Sequence, residues 1–278
     1  MGDCGPAAAA DAVRGAAAIE LVHAASLMHD DIVDRCAVRR ELPALHRTIG
    51  ERAATLSGSY LVQHVLTLIA DLPFAVRSRM GEVSRQLSRG QLTEILRAFD
   101  TGMQPAERLA IMADKTAAVF GLACELGAVL SGRPAECSAR LRELGAAFGM
   151  VFQIADDVDD LFASRDDLGR PAGSDLDGGV ITLPLVFALA SDARADVVRV
   201  LDPATPADPT ERLSRCRALV RSSGALRRTH GLALQYAERG AAHLDRLPCS
   251  EGTRWMDSIL CATLARVTRY AEADASDL

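Results

Sequence analysis

Apolar residues recur every three or four positions through most of this chain, and runs that alternate at a spacing of two are short. That period lays an apolar stripe along one face of an α-helix, so the pattern predicts an all-α protein. Alanine and leucine, both strong helix formers, occupy much of the stripe. Glycine, proline and aspartate punctuate it. Helices are expected over roughly Ala12 to Asp34, Arg52 to Ala70, Phe74 to Phe99, Pro105 to Leu130 and Ala135 to Phe162. "RRELPALHRTIG" and the glycine- and aspartate-rich "SRDDLGRPAGSDLDGGV" read as loops. The second leads into "ITLPLVFALA", and shorter helices are expected in the remainder. The breaks are too short for linkers and no fixed-period repeat is visible, which predicts a single domain over residues 1–278.

Composition narrows the class. A hydrophobic fraction of 49% in 278 residues is enough for a sizeable core. The formal charge of -6, without a basic stripe, argues against nucleic acid as a partner. Charges interrupt each apolar stretch well before the ~20 residues that a membrane span needs, so a cytoplasmic protein with no membrane span is expected. Seven cysteines without a ligand-like spacing read as reduced thiols. Of the 31 basic residues, 30 are arginine and one, Lys115, is lysine. Such a survivor suggests a need for a compact, strongly hydrated ammonium rather than a planar fork, with chance retention as the plain alternative.

The candidate chemistry lies in two acidic clusters. In "LMHDDIVD", Asp30 and Asp34 share a helix face and Asp31 lies about 100° round. Carboxylates stacked at a helix C-terminus repel one another and the macrodipole, so a cation is expected there. Hard oxygen donors suit Mg2+, which keeps several waters and takes a few carboxylates plus phosphate oxygens. "FQIADDVDDLF" repeats the spacing with Asp156, Asp157 and Asp160, and adds Asp159. One such run reads equally well as a solvated helix end. Two runs, each after an apolar stretch, point to metal ions clamping a diphosphate across a helical bundle. Arg39, Arg40, Lys115 with its neighbour Thr116, and Arg170 supply the cations such a ligand needs, although any one arginine could instead pair with a surface acid.

"IELVHAASLMHDDIVD", the arginine pair after it, "DKTA", "FQIADDVDD" and "GRPAGSDLDGGVITLPL" together resemble the trans-isoprenyl diphosphate synthases, or polyprenyl synthetase family. The resemblance is collinear to about Leu185 and weaker beyond. It implies an isoprenoid synthase helical bundle around a deep apolar cavity, a homodimer, and Mg2+ bound by Asp30, Asp34 and Asp156 with Asp31, Asp157 and Asp160 in support. Arg39, Lys115 and Arg170 would neutralise the diphosphate leaving an allylic prenyl diphosphate. Oxygens of Thr116 and Gln153 would face the resulting carbocation, while Arg40 and His23 would hold isopentenyl diphosphate. Ala25 and Ser26, one turn before the first cluster, would leave the cavity floor open, so a geranylgeranyl-length or longer product is expected.

The chain also departs from that pattern. The family's GKxxR-type motif is absent and Met1 falls downstream of it, so the N-terminal helix pair is expected to be lacking. Glu41 and Ala44 replace a glycine and a threonine, Ser59 an aspartate, Val180 a lysine, and Arg170 a second lysine. Three functions follow from the resemblance. Retention of Arg40 and His23 favours elongation with isopentenyl diphosphate. Loss of the basic residue at Val180 favours a terpene synthase that cyclises a long prenyl diphosphate without it. A non-catalytic subunit of a heteromeric prenyl synthase is the third, set against the wholeness of both aspartate motifs.

Overall fold

The structure, a computed structural model, describes residues 6–39, 41–164, 172–205 and 208–276. Helix dominates, and among the described residues the strands are β1 (Val38–Arg39) and β2 (Leu42–Pro43), an antiparallel pair in which Val38 faces Pro43. No helix is long and apolar enough to cross a membrane among these residues. The chain groups into two compact units, one of residues 1–85 with 122–142, the other of residues 86–121 with 143–278.

The first unit is built on α1 (Pro6–Val33) and α3 (Glu51–Leu68). Small residues let these helices close on each other: Ala18 and Ala25 of α1 are buried, as are Ala54 and Gly58 of α3. A Cβ at Gly58 would stand 2.5 Å from Nε2 of His29, so a larger residue there would push the imidazole aside. The segment after α1, expected to be loop, instead holds the β1–β2 pair and α2 (Leu45–Ile49). The pairing closes over Glu41, which adopts a left-handed φ of 66°, a conformation that favours glycine.

The second unit centres on the end of α7 (Ala135–Phe162). Ile154, Ala155, Val158 and Leu161 are fully buried there, and every residue of α9 (Leu183–Leu189) is buried in the same core. The span from Pro105 to Leu130 is not one regular helix. It runs as α5 (Pro105–Met112), a π turn (Ala113–Ala117) and α6 (Ala118–Leu130). Two glycines make room for the wider turn: a Cβ at Gly90 of α4 (Phe74–Leu96) would lie 2.8 Å from the Lys115 backbone nitrogen. One at Gly149 of α7 would lie 2.6 Å from Ala117 Cα.

Beyond α7 lie α8 (Ser174–Asp177), α9, α10 (Arg194–Leu201) and α11 (Pro209–Ser222). α12 (Ala225–Leu244) and α13 (Glu251–Ser276) are longer than the short helices expected. Gly231 and Gly240, which weaken a helix in isolation, lie inside α12. At Gly240 the missing side chain lets Leu260 of α13 pack close, so tertiary packing overrides local propensity.

Candidate active site

The first acidic cluster occupies the last turn of α1 and the residues just after it. The helix ends in a Schellman motif: Cys36 N–H donates to the Asp31 carbonyl at 2.9 Å and Arg35 N–H to the Ile32 carbonyl at 3.3 Å. Arg35 takes the left-handed position with φ 52°, a place glycine usually fills. This stop sets Asp30, Asp31 and Asp34 around one helix end. Asp31 is buried and paired with Arg39, whose Nε donates at 2.8 Å and whose Nη2 lies 2.6 Å away. Burial alone would lower the Arg39 pKa, and the Asp31 charge outweighs it, so the guanidinium is held more firmly protonated than usual. Arg39, expected on the substrate diphosphate, is here the partner of Asp31. Asp30 precedes Asp31 in the last turn of α1, and Asp34 follows the helix directly. Arg40 lies outside the described residues.

Upstream on α1, Ala25 is fully buried, Ser26 donates its hydroxyl to its own helix at the His23 carbonyl (2.8 Å), and the His23 side chain is exposed. Ala25 and Ser26 therefore do not share one environment: adjacent helical positions diverge by about 100°.

The second cluster sits in the core. Asp157 is 0% exposed and takes hydrogen bonds from Arg108 Nη2 (3.0 and 3.1 Å), Gln153 Nε2 (2.9 Å) and the Leu183 backbone N–H (2.8 Å). Asp160, also 0% exposed, accepts from the Ser174 hydroxyl at 3.0 Å and the Asp175 N–H at 3.2 Å. These two carboxylates are engaged by protein donors that organise α8 and the start of α9. Asp156 differs: its side chain keeps 41% of its exposure and meets Arg266 of α13 at 2.6 Å. Burial of its surroundings pushes the Asp156 carboxyl up, against the pull of Arg266. Asp159 is held by both Arg266 (2.7 Å) and Arg269 (3.1 Å). The six aspartates expected to serve a metal thus divide by environment, with Asp156 the accessible member of its cluster.

Lys115 and Thr116 ride on the π turn, an irregularity that often marks functional positions in helices. The turn is braced outside by Arg89, which grips Asp114 with Nε and Nη2 at 2.8 and 2.7 Å. Lys115 Nζ lies 2.5 Å from Glu94 Oε1, and Arg108 Nη1 donates to the other oxygen of Glu94 at 2.6 Å. Thr116 donates its hydroxyl to Gln153 Oε1 at 2.6 Å. Lys115, Thr116, Gln153 and Asp157, named from separate stretches of sequence, are therefore joined in one hydrogen-bonded group, completed by Glu94 and Arg108. Arg170 lies outside the described residues, and Val180 is partly exposed after α8.

Residues 4–215 match the polyprenyl synthetase family. The chain belongs to that family. It is 34% identical over 263 residues to the nonaprenyl diphosphate synthase of Mycobacterium tuberculosis, covering 94% of this chain and 78% of the relative. It is 33% identical over 238 residues to heptaprenyl diphosphate synthase component 2 of Geobacillus stearothermophilus, covering 85% of this chain and 73% of the relative. The polyprenyl synthase of Caulobacter crescentus, solved with calcium and isoprenyl diphosphate, superposes with a TM-score of 0.84 at 31% identity, over 90% of this chain and 77% of that one. The architecture is the isoprenoid synthase helical fold of these neighbours, and the family activity is trans-prenyl transfer to make prenyl diphosphates.

Glu94, Arg108, Arg266 and Arg269 escaped the reading of the sequence. Arg108 carried a faint signal, a charge on the same face of α5 as the buried Ile111 and Met112. Asp159, an extra acid in a buried run, likewise called for a cation that turned out to lie on α13.

Proposed function

We propose that this polyprenyl synthetase is a Mg2+-dependent elongating enzyme that ionises an allylic diphosphate and condenses it with isopentenyl diphosphate to a geranylgeranyl-length or longer product. The observation that supports this most directly is the joining of Lys115, Thr116 and Gln153 into one hydrogen-bonded group, in a chain whose relatives are named for long prenyl diphosphates.

The donor set suits magnesium. Among the described residues no three acids, histidines or cysteines converge as a ready cage. Magnesium does not need one: it takes one or two carboxylates, keeps waters and completes its shell with phosphate oxygens. Asp30 and Asp34, at the negative end of a helix, and the accessible Asp156 are the residues assigned to hold it. Bound there, magnesium supplies positive charge to the oxygens of the departing diphosphate.

The chain's own groups do the rest. The Lys115 ammonium, a three-hydrogen donor positioned by Glu94, donates to a phosphate oxygen of the leaving group. Arg39 and Arg170 add charge to the same leaving group. The allylic C–O bond breaks with its electron pair on the diphosphate, leaving an allylic cation faced by oxygens of Thr116 and Gln153. The double bond of isopentenyl diphosphate, held by His23 and Arg40, attacks that carbon, and the released diphosphate takes the proton lost in restoring the alkene. Ala25, small and buried, is assigned to the cavity floor, where a bulky residue would shorten the product.

A second reading, cyclisation without isopentenyl diphosphate, is favoured by one observation: Val180 is neutral where the family carries lysine. Incubation with magnesium and geranylgeranyl diphosphate, with and without isopentenyl diphosphate, separates the two. Longer prenyl diphosphates that require isopentenyl diphosphate support elongation. A hydrocarbon or alcohol formed without it overturns elongation for cyclisation.

A further inference from the structure

The hydrogen bonds around Asp157 run in one direction. A carboxylate offers only acceptors, and all of its recorded partners donate to it: the Arg108 guanidinium, the Leu183 N–H and the Gln153 amide nitrogen. Gln153 must therefore turn its NH2 toward Asp157 and its oxygen away. Thr116 then has no choice either, because the only atom it meets on Gln153 is an oxygen, and it spends its single hydrogen there. Every link is oriented by the one before it, and the sense of the whole chain is set at Asp157.

Arg108 is what holds Asp157 in that role. Its side chain is 2% exposed and lies between two carboxylates, Asp157 on Nη2 and Glu94 on Nη1. Both pull the Arg108 pKa up although burial alone would lower it. The placement has a cost, since Arg108 Nε–H is buried without a partner. A buried arginine that forgoes one hydrogen bond to serve two carboxylates is poor stability engineering, because such pairs roughly break even against apolar packing. It is well suited to setting an orientation.

We propose that Arg108 is a positioning residue for prenyl transfer: acting through Asp157, it fixes the amide of Gln153 so that Thr116 and Gln153 present lone pairs rather than hydrogens toward the developing allylic cation. Through Glu94 the same guanidinium steadies Lys115, which serves the departing diphosphate. The inference rests on the prenyl-transfer reading above, and it adds a residue with no contact to the reacting atoms. The rival account is an ion-pair cluster that only ties α4, α5 and α7 together.

Asp157→Asn separates the two accounts, because an amide of the same shape can donate to Gln153 and let its side chain invert. kcat and KM for the allylic diphosphate are measured for the wild type, Asp157→Asn, Arg108→Lys, Gln153→Met and the two double variants. Both single changes at 157 and 108 are expected to lower kcat ~10- to 100-fold, with KM within about twofold. In the Gln153→Met background each is expected to add less than about twofold, since the group they orient is gone. Equal losses in both backgrounds overturn the proposal. Selective 15N labelling of glutamine tests the orientation without any turnover. The Gln153 NH2 of the wild type is expected to exchange slowly with solvent, and exchange as fast as that of exposed glutamines overturns the proposal even if no variant folds. A wild type inactive toward every allylic diphosphate, with or without isopentenyl diphosphate, overturns the functional reading instead, and slow Gln153 exchange would then still support the fixed orientation.

Discussion

The two acidic clusters have the same spacing in sequence and opposite surroundings in the structure. Around Asp30, Asp31 and Asp34 the helix stops at a Schellman motif, and the recorded arginine partner is Arg39, only eight residues from Asp31. Around Asp156, Asp157, Asp159 and Asp160 the last turns of α7 are packed in a core, and three arginines from distant parts of the chain meet the acids. Asp157 and Asp160 are fully buried, whereas Asp156 is not. A single motif can thus mix two jobs. Side chains turned inward order the neighbouring segments, and the one turned outward, Asp156, meets Arg266 and solvent. The first cluster, at a helix end, has less core to organise.

If that contrast is right, the largest effect comes from breaking the buried network. Arg108→Met leaves two buried carboxylates without their shared cation and should cost about 3–5 kcal/mol in a chemical denaturation experiment. Asp34→Ala, at the helix end, should change stability by less than about 0.5 kcal/mol. Similar losses at the two positions would erase the distinction between the clusters.

Activity should rank them differently. Asp34→Ala and Asp156→Ala are each expected to lower prenyl transfer on the order of 10²- to 10³-fold, as loss of charge stabilisation at a reacting oxygen does elsewhere. Chelation of magnesium should abolish turnover in the wild type while leaving the circular dichroism spectrum unchanged. A chelated protein that unfolds would move the metal from chemistry to structure.

The π turn offers a milder test. Gly149→Ala places a Cβ against the Ala117 backbone, which cannot swing aside as a side-chain tip can. A loss of about 1–3 kcal/mol is expected, with a fall in kcat because Thr116 shifts with the turn. The same replacement at Gly127, where nothing lies within 4 Å, should be neutral or slightly stabilising in a thermal melt.

The smallest effect is a pH slope. Burial alone would raise the Glu94 pKa, but the charges of Lys115 and Arg108 outweigh it and leave the carboxyl below its ordinary value. A depressed folded-state pKa contributes stability above the unfolded value and loses it as pH falls through the folded one. Glu94→Gln should therefore flatten the loss of stability below the ordinary glutamate range, measured as the denaturation midpoint against pH. An unchanged slope would show that Glu94 does not contribute to the acid transition.

Much of the architecture was legible because it is local. Apolar spacing located most of the helices through Phe162, proline at the first turn marked the start of α5, and repeated acid spacing picked out the runs Asp30, Asp31, Asp34 and Asp156, Asp157, Asp160. Lys115, the lone lysine, sits on the one π turn among the described residues. The π turn itself was not legible, because it depends on the missing side chains of Gly90 and Gly149, and α12 ran through glycines that a local rule treats as weak points.

Sequence by itself determined which faces of the helices are apolar, where most of them start and stop, and that two acid-rich helix ends exist, for all of these depend on residues within a few positions of one another. Only the tertiary structure decided which acids are buried and which cation meets them. Arg108 reaches Asp157 across 49 residues, and Arg266 reaches Asp156 across 110. A helical period assigns a residue to a face, but the partner on the other side of that face is chosen by packing, and it is packing that turned Asp157 into an anchor and left Asp156 within reach of solvent.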